Sequence, residues 1–178
     1  MNKFFLRISG MMMLVLLSLP MQAQEFAKVD KSPADIALYR QDGTPLIKVV
    51  YSRPAKRERS IFGELIPFDQ VWRTGANEAT EIRVYKDAKI NGQELKAGIY
   101  SLFTIPREDT WTIIFSNQTD VWGAYQYDDA ADVIRVDVPA TVAEDSLELF
   151  GVAFMEMDDS VQLVLGWDTT RVAIPFIF

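Results

Sequence analysis

The chain has no cysteine and no histidine among its 178 residues. It therefore cannot assemble a Ser-His-Asp or Cys-His nucleophile system, a zinc site with nitrogen or sulfur ligands, or a disulfide. Any acid–base chemistry would fall to carboxylates, lysines or tyrosines. Sustained helical periodicity, internal repeats and low-complexity tracts are missing too. The apolar run from Met11 to Leu19 is too short for a spanning helix, which needs about 20 residues. Bases are scarce at one end: residues 108–178 carry 2 Lys/Arg against 14 Asp/Glu, whereas residues 24–107 carry 14 against 11. With a net charge of −7, the chain is not expected to hold nucleic acid or an anionic lipid surface through bulk charge. The asymmetry reads first as a solvated acidic face.

The N-terminus is a processing segment in design. Lys3 and Arg7 form a basic start, the apolar run follows, Pro20 breaks it, and Ala23 is small enough for cleavage, although Met21 is bulky for its place two residues earlier. Residues 1–23 are thus expected to be a signal peptide, residues 24–34 a lead-in, and residues 35–178 a single domain. Cleavage leaves 16 bases against 25 acids, a net −9. Without cysteine there is no lipoprotein anchor. The expected location is the periplasm or beyond, with no membrane span after cleavage.

What remains reads as strands. Ile36–Tyr39 and Leu46–Tyr51 flank Asp42-Gly43, and Lys89-Ile90 and Gln93–Leu95 flank Asn91-Gly92; both dipeptides suit the left-handed residues of a tight hairpin. Thr80–Tyr85, Gly98–Ile105, Trp111–Phe115 and Val133–Val138 alternate or run apolar at strand length. Leu147–Met157, Val161–Trp167 and Val172–Phe178 complete the set. The expectation is an all-β fold, a single antiparallel β-sandwich or partly open barrel of about 9–10 short strands.

Residues 53–79 break the pattern. They lack alternation and hold Pro54, Gly63, Pro67 and Gly75, yet Ile61, Phe62, Leu65, Ile66, Phe68, Val71 and Trp72 are too many apolar groups for disorder. They should pack on the sandwich as one long ordered cap, with room for a helical turn.

The run Tyr51-Ser52-Arg53-Pro54, Arg59, Ile61-Phe62-Gly63 and Val71-Trp72-Arg73-Thr74-Gly75-Ala76-Asn77-Glu78-Ala79-Thr80 resembles a secreted Bacteroidota family catalogued as domain of unknown function 2911. Ala97–Pro106, Trp111–Phe115 and Trp122-Gly123-Ala124-Tyr125 are similar to it as well. The resemblance spans roughly residues 35–177. It implies export, a β-rich single domain and a bacterial envelope setting, and it carries over no catalytic roles.

Two constellations are candidates for function. In the cap, Arg53 and Arg73 offer planar forks for carboxylate, phosphate or sulfate, with Asn77, Glu78 and Trp72 beside them. The competing use is internal: Arg73 pairing with Glu78, and Asn77 shaping a turn. Further on, Trp122, Tyr125 and Tyr127 surround Gly123, just after Asn117-Gln118-Thr119-Asp120. They serve either as a platform for sugar rings or as core. The run Asp128-Asp129-Ala130-Ala131-Asp132 lacks the spacing of a calcium loop and reads as solvated.

No cofactor and no metal is expected. The leading function is a non-catalytic binding domain for a glycan, peptide or envelope component, its partner a small molecule, glycan or envelope protein. The alternative is a glycosidase-like hydrolase built on paired carboxylates, Glu78 with Asp69 or Asp120, which requires two of them in one cleft roughly 5–9.5 Å apart. A second alternative, a small outer-membrane β-barrel, comes from the terminal Phe178 with apolar residues at alternate positions before it.

Overall fold

Both tight-turn dipeptides fold as their chemistry dictates. Asp42 and Gly43 take φ of 49° and 79°, and Asn91 and Gly92 take 46° and 81°, the consecutive left-handed residues of a type I′ hairpin. The first pair closes β1 (Ala34–Gln41) on β2 (Thr44–Ser52), the second β4 (Ala88–Ile90) on β5 (Gln93–Leu95). The computed structural model describes residues 25–178; the expected signal segment lies outside the described residues.

Five more strands follow from the alternating segments: β3 (Thr80–Val84), β6 (Gly98–Ile105), β7 (Thr110–Ser116), β8 (Asp132–Met157) and β9 (Ser160–Phe176). They build a seven-stranded antiparallel sheet in the order β1-β2-β3-β6-β7-β8-β9, with β4 and β5 as a separate two-stranded ribbon. The all-β expectation holds, but the last two strands are not short. Val133–Val138 runs on into Leu147–Met157 as one strand of 26 residues, and β9 spans 17. Register shifts at Val142/Leu147 and Leu147/Gly151, with Asp168 at φ 50°, bend this long hairpin instead of ending it.

The bend curls the sheet into a half-barrel. Beyond it, β8 meets the start of the cap, where the Phe150 N–H donates to the Pro54 carbonyl at 3.0 Å and the Lys56 N–H to the Glu148 carbonyl at 2.7 Å. The strand order still ends on β1 and β9, which do not pair. Along β8, Ile134, Val136 and Val138 are buried while Arg135 and Asp137 face out. A small outer-membrane barrel, entertained from the C-terminus, needs a closed sheet and an apolar outer band; the described strands leave the sheet open and put charge on the outer side of β8. Its final aromatics serve the core instead: Phe176 is fully buried and stacks with Phe178 at 6.2 Å between ring centres.

Residues 53–79 lie over the open side of this curl. No helix forms in them; isolated bridges Ala55↔Leu149 and Trp72↔Thr104 fasten the segment, and Phe62↔Ile66 closes within it. Phe62 and Trp72 join Trp111, Phe150 and Trp167 in an aromatic cluster with ring centres 4.7–6.2 Å apart, mostly edge to face. The cap is thus the lid of the core.

Candidate functional site

The segment Trp72 to Glu78 is a scaffold that alternates anchor and display. Trp72 and Thr104 exchange backbone hydrogen bonds at 2.7 and 2.9 Å, and the Trp72 indole, 5% exposed, donates to the Gly75 carbonyl at 3.1 Å. Thr74 holds φ 56°, uncommon for a β-branched residue. Its surroundings enforce that geometry: its hydroxyl lies 3.1 Å from that of Thr104, and the Thr80 hydroxyl donates to its carbonyl at 2.6 Å. At Gly75 a Cβ would stand 3.1 Å from the Ser52 carbonyl oxygen, tighter than most side-chain contacts, so glycine eases that approach. Asn77 takes φ 59°, and its amide donates to Asp30 at 3.2 Å. The Ser32 N–H and that amide hold the Asp30 carboxyl below the usual carboxylate range, which ties the lead-in to the cap.

Between these anchors Arg73 projects outward. Its guanidinium carbon lies 5.9 Å from the centre of the Trp122 ring, within cation–π range. Its Nε is buried with no hydrogen-bond partner among the described residues. Trp122 stacks on Tyr125 at 5.6 Å and 17°, yet the two remain 61% and 77% exposed. Gly123, at φ 75°, makes this stack possible, since a Cβ there would meet the Tyr125 ring at 2.7 Å. Gln118 stiffens the same loop by donating to the Gln126 carbonyl at 2.7 Å and accepting from the Asp128 N–H at 3.1 Å. Arg73 and Tyr125 open onto a cleft of about 440 Å³ beneath the cap, floored by Trp72 and Trp167.

Of the seven candidate residues, Arg73, Trp122 and Tyr125 therefore converge, whereas Arg53 and Trp72 are taken up largely by the fold. Arg53 Nε donates to the Phe150 carbonyl at 3.0 Å and Nη1 pairs with Asp35 at 3.1 Å, stapling β1 and β8 to the end of β2. Arg53→Ala should lower stability by about 1–3 kcal/mol, at the lower end because the pair is half-exposed. Urea melts of the variant check this; an unchanged midpoint would free Arg53 for another role. Arg73 does not pair with Glu78. Glu78 faces away into a second cleft of about 270 Å³, which Glu81 and Asp120 also line. Asp69 lies elsewhere, on Arg107 at 2.7 Å.

Tyr127 belongs to the fold. Its ring meets Phe103 at 5.1 Å, its hydroxyl donates to Asp132 at 2.5 Å, and it accepts from Arg135 at 2.5 Å. Burial first, then the Asp132 carboxylate, push its hydroxyl up to about 12. The unfolded chain releases this proton near pH ~10 while the folded chain keeps it, so stability should fall as pH rises from about 10 towards 12. Burial also raises Tyr51 and Tyr100, so Tyr127→Phe should flatten that decline without abolishing it. Chemical melts across this range read the slope, and a wild type whose stability rises there would refute the assignment. In the acidic run, Asp128 caps a 3₁₀ turn (Asp129–Ala131) by accepting from the Ala130 N–H at 3.0 Å, and Asp132 pairs with Arg135. Among the described residues no group of three carboxylates is placed to hold a metal ion.

Sequence reasoning missed three lining residues of the cap cleft: Lys31, Arg57 and Arg59. The only available signal was the basic run Lys56-Arg57-Glu58-Arg59, where Arg57 and Glu58 take φ of 51° and 59°.

The chain belongs to the family described as "Protein of unknown function (DUF2911)", whose model matches residues 32–176. No curated protein and no solved structure matches it.

Proposed function

We propose that the protein is an exported binding domain whose ligand is a saccharide, docked on the Trp122–Tyr125 pair at the mouth of the cap cleft. The observation that carries this reading is the pair itself: two large aromatics, stacked, mostly exposed and flanked by a guanidinium. Aromatic side chains supply rigid contact area at low entropy cost, with only two side-chain torsions each to fix. The apolar C–H face of a sugar ring suits such a surface, while Arg73 supplies donors for its oxygens. Export rests on Lys3, Arg7 and the apolar run that follows.

Thermal shift of the mature chain against a panel of oligosaccharides tests the reading. A binding saccharide raises the melting temperature progressively with its concentration. A panel in which none does so overturns it.

One observation favours a second reading, glycoside hydrolysis: Glu78 and Asp120 line the same cleft. In that case reducing ends should be released from a saccharide that enters this second cleft, and Glu78→Gln should abolish the release.

A further inference from the structure

We propose that the saccharide is an acidic one, whose carboxylate or sulfate is held in the cap cleft by Arg73, Arg57, Arg59 and Lys31. This rests on the saccharide reading above and adds the chemistry of the ligand.

The cleft's lining has four bases and no carboxylate, in a chain of net charge −7. Scarcity of acids does not explain this. Elsewhere half of the described bases find acidic partners, among them Lys56 with Asp168 at 2.6 Å, Arg107 with Asp69 at 2.7 Å, Arg135 with Asp132 at 2.6 Å and Arg171 with Asp145 at 3.3 Å. Among the described residues none of the four cleft bases forms an ion pair. Glu148 on β8 does approach, but it accepts the Arg57 backbone N–H at 2.9 Å and is not part of the lining. Like charges gathered without counter-charge repel one another, and an arriving anion relieves that cost.

Two of the guanidiniums are already positioned. Arg59 donates from Nε to the Lys56 carbonyl at 2.9 Å and from Nη2 to the Ala55 carbonyl at 2.6 Å. Arg73 is braced beside Trp122, and its buried Nε lacks an acceptor. A donor on a charged group is costly to leave unsatisfied, and no acceptor or carboxylate among the described residues pairs with this guanidinium. Guanidiniums bind carboxylate and sulfate through paired, planar hydrogen bonds. The cleft's volume of about 440 Å³ falls in the range of small-ligand sites. Stacking at the mouth and an anion in the cleft together describe one ligand: a sugar with an acid group.

Calorimetric titration of the mature chain with three probes tests the proposal: tetragalacturonate, its methyl ester, and a heparin-derived tetrasaccharide. The ester keeps the sugar backbone and removes the charge; the heparin fragment replaces carboxylate largely by sulfate. We expect an acidic probe to bind at least about tenfold more tightly than the ester. That advantage should shrink between about 50 and about 200 mM salt. Arg57→Gln, which removes no side-chain hydrogen bond seen in the fold, should erase most of it without lowering the melting temperature. Equal affinity for ester and acid, or an advantage that Arg57→Gln and Arg73→Gln both leave intact, overturns the acidic ligand while the saccharide reading stands. No binding by any of the three overturns the acidic ligand, and the saccharide reading falls with it only if the oligosaccharide panel also yields no binder.

Discussion

Replacing Trp72 by alanine should cost about 3–5 kcal/mol of fold stability, much of the roughly 5–15 kcal/mol that holds a domain together. The ring lies in the aromatic cluster between cap and sheet, stacked on Trp167 at 6.0 Å and edge-on to Phe62, Trp111 and Phe150. Its loss would leave a cavity under the cap and deprive the Gly75 carbonyl of its indole donor. Because Gly75 follows Arg73 by two positions, the cap should loosen where it displays that arginine. Trp72→Phe separates the two contributions: it keeps most of the packing and loses the hydrogen bond, for about 1–3 kcal/mol. Denaturant melts of both variants decide the matter. A loss below about 1 kcal/mol for Trp72→Ala would mean that the cap is not part of the core.

The second large effect falls on binding and spares the fold. Trp122→Ala combined with Tyr125→Ala should weaken saccharide affinity by about 2 kcal/mol or more, roughly 30-fold, as truncating a binding hot spot does. Both rings are mostly exposed and stack chiefly on each other, so the melting free energy should stay within about 0.5 kcal/mol of wild type. Calorimetry and a urea melt on the same preparation read the two quantities. If stability collapses while affinity per folded molecule is kept, the pair is scaffold and the platform is withdrawn.

How far the fold was legible depended on whether the signal was local. The hairpin turns at Asp42-Gly43 and Asn91-Gly92 could be read because two adjacent residues carry the whole geometric requirement. The fusion of Val133–Val138 with Leu147–Met157 could not: the intervening Thr141-Val142-Ala143-Glu144-Asp145-Ser146 is largely polar and breaks alternation, as a loop does, and the strand resumes its pairing with β9 only after a register shift from Val142 to Leu147. The site divides along the same line. Arg73 stood out through the dense segment around it, and Trp122 with Tyr125 through their spacing about Gly123. The destination of each guanidinium was invisible, because Arg53 meets Asp35 and Phe150 only after the sheet has curled. Likewise Lys31, Arg57 and Arg59 are drawn to Arg73 only when the cap folds over the core.

The central claim is that Trp122 and Tyr125 meet a saccharide, and acrylamide quenching of tryptophan fluorescence addresses it most directly. Of the four tryptophans, Trp72, Trp111 and Trp167 are buried at 5%, 2% and 2% exposure, while Trp122 is 61% exposed. A neutral quencher therefore reaches one ring almost exclusively, and that component should vanish in Trp122→Ala. Saturating tetragalacturonate should remove the same component from the wild-type signal while leaving the three buried rings unaffected. Saturation confirmed by calorimetry with Trp122 still fully quenched would place the ligand elsewhere and contradict the account.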